Sequence, residues 1–217
     1  MNRSAMYNNT NHTTTYLTTP HHTTPHRITP HHITSHPTVP HLITPMQAIK
    51  AVCSMHADKW RILDLLMDNT RLGDYDEMFS HGQLLHTVDD RTAVRRLCYK
   101  PVWPTSSRDF LTCTTWRERA DGSLVICTRS APNELMGPQK GSVRGTIIVS
   151  GYLIQPAESL RRDDPCFGTG PGPKGCKVTM VAHTELGGSL PAPVINMLST
   201  TAPQKMMRTI ADLIAAF

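Results

Sequence analysis

The end of the chain constrains the fold most. From 191 to 217 the residues Val194, Leu198, Ala202, Met206, Ile210, Leu213 and Phe217 recur at helical spacing, an apolar stripe on an otherwise polar segment. A helix with one such stripe has to bury it against a second layer. The segments before it are written in a different period. Residues 83–88, 93–99, 110–119, 123–129, 142–154 and 177–185 are rich in β-branched and aromatic side chains and read as strands. Asp121-Gly122 between two of them is a hairpin signal. Successive antiparallel strands closed by one amphipathic helix make an α+β fold: a curved antiparallel sheet wrapped on a long C-terminal α-helix. Such a grip leaves an interior space suited to an apolar ligand. Pro203 falls inside the helix and is expected to kink it. Ahead of the strands, residues 46–67 carry Ile49, Val52, Ile62, Leu65 and Leu66 at helical spacing, which predicts two short helices.

The first 45 residues are of another kind. From Pro20 a five-residue unit repeats, with histidine at 21, 26, 31, 36 and 41, and proline this frequent forbids helix and breaks strand ladders. The segment has no acid and few large apolar groups, so residues 1–45 are expected to form a disordered, low-complexity tail and residues 46–217 the folded domain. Spaced imidazoles on a flexible chain gather metal only weakly, so no metal site is assigned to the repeat.

With 39% hydrophobic residues, the 217-residue chain has enough apolar mass for one core. The formal charge of +5 is spread out, and pairs such as Arg95-Arg96 are too small for a nucleic-acid groove. Six scattered cysteines show no metal spacing and no dense disulfide framework, so reduced thiols are expected. Without a leader-like start or a long apolar run, the expectation is a cytoplasmic monomer with peripheral membrane contact and no cofactor.

Few residues suggest chemistry. The stretch 170–175 matches G-x-G-x-x-G, but a strand-like run follows it where a helix is required, so it reads as a loop. His183 would serve as a general base, yet no nucleophile sits in a recognisable motif beside it; no catalytic residue is assigned. Arg144, alone among β-branched residues, needs a partner: Asp109 or Glu185 if its role is structural, a ligand head group if it is functional. Met197, Met206 and Met207 would give the last helix an adaptable apolar surface.

Four stretches, in order, resemble the START domain, the helix-grip lipid-transfer module. They are Asp74-Tyr-Asp-Glu-Met-Phe79; Lys100-Pro-Val-Trp-Pro-Thr-Ser-Ser-Arg-Asp-Phe110; Gly141-Ser-Val-Arg-Gly-Thr-Ile-Ile-Val-Ser-Gly-Tyr152 with Pro156; and Cys176-Lys-Val-Thr-Met-Val running on through Gly188-Ser-Leu-Pro-Ala-Pro-Val-Ile-Asn196. The resemblance implies one lipid (sterol, phospholipid or sphingolipid) held in a tunnel under the C-terminal helix and carried between membranes. START domains begin with a helix and strands that precede these stretches. Here the Pro-His repeat stands in their place, so either the domain is N-terminally incomplete and open along one sheet edge, or 38–44 supplies a substitute strand. The position where relatives that bind phospholipid or sterol carry a cavity arginine is Thr114, and their acidic cavity position aligns with Arg95. Strand alternation puts Thr112, Thr114 and Trp116 on one inward face. The lipid-binding candidates are therefore Arg95, Thr112, Thr114, Trp116, Arg144, Met197 and Met206. Two other readings stay open: a cyclase or hydrolase on the same scaffold using His183 or a pocket acid, and a degenerate START copy with no lipid transfer.

Overall fold

The structure is a computed structural model that describes residues 14–17, 46–156 and 175–216, with backbone alone at 14–17 and 46–47. Nine strands are described: β1 Thr14–Leu17, β2 Met46–Met55, β3 Phe79–Asp89, β4 Thr92–Tyr99, β5 Ser107–Glu118, β6 Leu124–Ser130, β7 Ser142–Arg144, β8 Thr146–Pro156 and β9 Cys176–Glu185. They form one sheet in the order β1-β2-β9-β8-β6-β5-β4-β3, antiparallel throughout, with β7 parallel beside the start of β5. Helices α1 (Lys59–Met67) and α2 (Leu72–Tyr75) lie between β2 and β3; α3 (Ala192–Asn196) and α4 (Ala202–Ala215) end the described chain. This is the α+β helix-grip arrangement expected from the two periodicities.

The six expected strands are all present, and the stretch 142–154 is divided in two. The break falls at Gly145, whose N–H donates to the Asp109 carbonyl at 2.9 Å. A Cβ there would lie 2.3 Å from a ring carbon of Phe110, so the chain crosses this ring only as glycine. The hairpin between β5 and β6 turns at Asp121-Gly122. The Asp121 carboxylate accepts the Ser123 N–H at 3.0 Å, and Gly122 takes a positive φ of 75°.

Residues 46–55 correct the helical expectation: they form β2, paired along its length with β9 from Met46↔Glu185 to Met55↔Cys176. Ile49, Ala51, Cys53 and Met55 are buried in alternation, a period of two that the helical count through Ile49 and Val52 overlooked. Only the second expected helix exists. Asp58 caps it, its carboxylate accepting the Trp60 N–H at 2.8 Å. Within the segment expected to be a tail, Thr14–Leu17 pairs with Ile49–Val52 of β2. They are β-branched or aromatic, apart from Leu17, and precede the proline repeat. The repeat, the substitute strand at 38–44 and the glycine-bearing loop at 163–174 lie outside the described residues.

The core lies between the concave face of the sheet and the helices. Ile62 and Leu65 of α1 and Met207, Ile210 and Ile214 of α4 pack against Leu124, Ile126, Ile154, Val178 and Met180 of the strands. A smaller cluster, Val94, Leu111 and Ala131, sits on the opposite face. The expected stripe of the C-terminal helix faces inward: Val194, Leu198, Ala202 and Met206 look towards the sheet, and Ile210 and Leu213 pack in or on the core. Ser199, Pro203 and Met207 are buried beside them. Within the segment stands a π turn at Met197–Thr201, where the Ala202 N–H reaches back to the Met197 carbonyl. Pro203 has no N–H to give residue 199, and the wider turn absorbs the defect that was expected as a kink. No disulfide joins the five described cysteines to one another.

Candidate functional site

Two adjacent residues at the start of β5 show how the sheet separates its faces. Arg108 and Asp109 point to opposite sides because strand side chains alternate. Asp109 is 0% exposed and goes to the outer face, where its carboxylate accepts from Arg96 Nε at 2.8 Å and Arg144 Nη2 at 2.9 Å. Burial pushes the Asp109 carboxyl up, but the hydrogen bonds and charges of Arg144 and Arg96 outweigh it, holding the group below the usual carboxylate range. Arg144 also donates to Asn133 Oδ1 at 2.7 Å and the Met136 carbonyl at 3.1 Å, tying the β6–β7 connection to the sheet. This corrects the assignment of Arg144 to a ligand: its guanidinium is spent on the Asp109 pair, away from the interior.

Arg108 goes the other way, into a cavity of about 270 Å³ between the sheet and the C-terminal helix. Ile49, Met180 and Ala182 line one side; Tyr99, Phe110 and Tyr152 supply rings; Val194, Leu198, Ala202 and Met206 close it from the helix. Tyr99 and Phe110 meet edge to face with centroids 5.6 Å apart. The polar members of the wall are few: Asp76, Lys100, Thr105, Arg108, Ser150 and Thr184. Burial raises the Asp76 carboxyl above its ordinary value although the backbone N–H groups of Met78 and Phe79 act against it. Desolvation likewise pushes the Tyr99 and Tyr152 phenols up.

The other sequence candidates are distributed differently. Met206 lies on the cavity wall; the remaining six do not. Thr112, Thr114 and Trp116 share the inward face of Phe110, as alternation requires, but their side chains are engaged. Thr112 Oγ1 donates to the Arg95 carbonyl at 3.2 Å, and Thr114 Oγ1 meets Thr128 Oγ1 at 2.9 Å. Trp116 packs on Trp60, edge to face at 5.9 Å. Arg95 faces inward but reaches the α1 end at the Met67 carbonyl, 3.4 Å away, with its Nε buried and without an acceptor. Met197 lies in the π turn off the wall. His183 sits between the wall residues Ala182 and Thr184, so alternation turns it to the opposite face. Sequence reasoning missed Arg108, Tyr99 and Tyr152. Counting alternation outward from Thr112 would have placed Phe110 and Arg108 on the same face.

An antiparallel sheet closed over a helix, with one largely apolar cavity between them, defines a helix-grip ligand-binding domain. The chain belongs to the START domain family, whose model matches residues 28–212. It is similar to Protein ENHANCED DISEASE RESISTANCE 2-like of Arabidopsis thaliana, 37% identical over 118 residues that make up 51% of this chain and 16% of that protein. START domain-containing protein 10 of Mus musculus is 31% identical over 111 residues, 51% of this chain and 32% of the relative. The chain thus matches well under two thirds of either relative's length. Among solved structures, human StAR-related lipid transfer protein 5 superimposes with a TM-score of 0.66 at 17% identity, covering 79% of this chain and 76% of that one. Human STARD10 gives 0.65 at 22% identity, covering 82% and 67%. At these identities the structural likeness shows the fold.

Proposed function

We propose that the chain binds a single lipid in the cavity beneath its C-terminal helix and exchanges it at a membrane surface, without chemical turnover. The observation that carries this reading is the cavity itself, apolar on the sheet and helix sides, in a chain of the START family. Its relatives include StAR-related lipid transfer protein 13 of Homo sapiens, named for lipid transfer, at 27% identity over 116 residues. An open cavity of about 270 Å³ favours binding over a degenerate copy with a collapsed interior. Among the described residues the wall holds no histidine or cysteine, and Ser150 Oγ donates to the Val181 carbonyl at 3.1 Å, so this hydroxyl is engaged rather than poised as a nucleophile.

Exchange needs contact with a bilayer. Trp103 is 89% exposed, beside the wall residue Val102, in the loop that joins β4 to β5. A tryptophan left in water at the cavity's edge suits the interfacial region of a membrane. Among the described residues no helix is long and apolar enough to cross a membrane, so the contact proposed is peripheral. Burying an acyl chain is worth about 0.8 kcal/mol per methylene in cavity or bilayer alike, so transfer is nearly balanced and opening governs its rate. Mass spectrometry of the purified protein is the direct test. Co-extracted lipid at near-stoichiometric amount, with a rise in Tm on loading, is expected; an empty protein whose Tm no lipid changes sinks the proposal.

A further inference from the structure

One end of the cavity is built for charge. Arg108 is 9% exposed, and all its acceptors are neutral. Nη1 is held tightly, by Thr105 Oγ1 at 2.6 Å and the Ser106 carbonyl at 2.5 Å. The other edge is held loosely: Nε is 3.4 Å from the Leu186 carbonyl and Nη2 is 3.5 Å from that of Gly187. Both distances stand at the outer limit of a hydrogen bond. Two N–H groups side by side on a guanidinium are the fork that receives a carboxylate or phosphate.

Among the described residues no carboxylate pairs with Arg108, whereas Arg96 and Arg144 on the outer face share Asp109. Lys100 adds a second cation to the wall, with one donor on the Glu77 carbonyl at 2.8 Å. The acid described on the wall, Asp76, accepts the Met78 N–H at 3.0 Å and interacts electrostatically with Lys100, so it balances that cation rather than Arg108. A buried cation with neutral partners only has given up water without gaining a counter-charge. The size of the space limits what brings that counter-charge. About 270 Å³ lies just under the roughly 300–1,000 Å³ typical of ligand pockets, room for one tail rather than two.

We propose that the cavity takes a single-chain amphiphile with an anionic head, carboxylate or phosphate, received by Nε and Nη2 of Arg108, with its tail against the apolar wall. The inference rests on the reading of the cavity as a lipid site and narrows its ligand. The arriving head displaces the two long contacts to Leu186 and Gly187. Gly187 and Gly188 both have φ in the left-handed region, 67° and 64°, and lead directly toward α3, so occupancy and the conformation of the loop below the helix are linked.

The test is calorimetric titration of delipidated protein with dodecanoate, dodecyl phosphate and dodecanol, three ligands with one tail. At neutral pH at least one anionic ligand binds about tenfold or more tighter than the alcohol, and comparing the two anions identifies the head. For dodecanoate the advantage disappears below the ligand's own carboxyl pKa, at about pH 4 to 5. Arg108→Gln removes the anion's advantage over the alcohol, so that the two ligands bind the variant with equal affinity. Arg108→Lys, which keeps the charge and loses the fork, falls between. Equal affinity of all three ligands for the wild type overturns the inference while leaving the lipid reading intact, and decides the matter even if both variants fail to fold. Failure of all three to bind a protein that carries co-extracted two-chain lipid overturns it as well. Failure of every lipid, with none co-extracted, removes the reading beneath it.

Discussion

Asp109 shows how one residue on a strand can hold a fold together while its neighbour serves a cavity. Its carboxylate is the shared partner of two largely buried arginines, and removing it strands both charges. Asp109→Asn is expected to cost about 3–5 kcal/mol in urea unfolding at pH 7, the usual loss when one member of a buried pair is removed. The pH dependence follows from the direction of its shift. Its folded pKa lies below the unfolded value, so the stabilisation is complete above the ordinary carboxylate pKa of about 3.9 and is lost as pH falls through the lower folded value. The stability gap between wild type and variant is therefore expected to narrow below about pH 4. A gap that is constant down to pH 2, or a variant as stable as wild type, contradicts the role given to this pair.

Among the elements, β8 and the C-terminal helix carry the most unusual local structure. A Cβ at Gly151 would stand 1.9 Å from the Ile126 carbonyl oxygen, backbone locked in the β6–β8 ladder; at Gly145 it would meet the Phe110 ring at 2.3 Å. A ring can turn into the adjoining cavity and a paired carbonyl cannot retreat. Gly145→Ala is expected to cost about 1–3 kcal/mol, in the range of ordinary overpacking, and to weaken lipid binding by crowding the cavity. Gly151→Ala should lose more stability than that. Chemical denaturation of both variants orders them, and the reverse order refutes the argument. At the C-terminal helix, the stripe read from the sequence faces inward from Val194 through Leu198, Ala202 and Met206 to Ile210 and Leu213. Pro203 was visible as an obstacle. That the chain meets it with a π turn depends on what packs below.

For the whole molecule, function is a matter of which surfaces open and what they touch. Trp103 stands exposed at the edge of the cavity without contributing to its wall. Trp103→Ser is expected to reduce co-sedimentation with phospholipid vesicles by about tenfold, the loss of one buried aromatic at an interface, with Tm unchanged. Unaltered vesicle binding removes Trp103 from the exchange surface. The fold was legible because its instructions are local. Alternation in β3 through β9, the Asp121-Gly122 turn and the closing apolar stripe each work within about ten residues, and together they leave an antiparallel sheet gripping a helix as the consistent arrangement. The ordered motifs from Asp74 to Asn196 pointed to the START family for the same reason. The strand β2 was misread because Ile49, Val52, Ile62 and Leu65 satisfy a helical count. The sheet prevails there because β9 offers ten paired positions along a buried face.

The chain's own order of residues thus determined its elements, its layers and the face on which each strand residue lies, since these follow from periods of two and 3.6 acting on neighbouring side chains. Only the tertiary structure decided which inward residues face open space and which are filled. Thr112 and Thr114 share the inward face with Phe110, but their hydroxyls meet Arg95 and Thr128, and Trp116 is taken by Trp60. Arg108 and Asp109 are neighbours in sequence. The sheet sends the two to opposite sides, and Asp109 finds its arginines on β4 and β7. A cavity is the space left by elements far apart in the chain, so its walls and the charge on them are settled by long-range packing that no local pattern records.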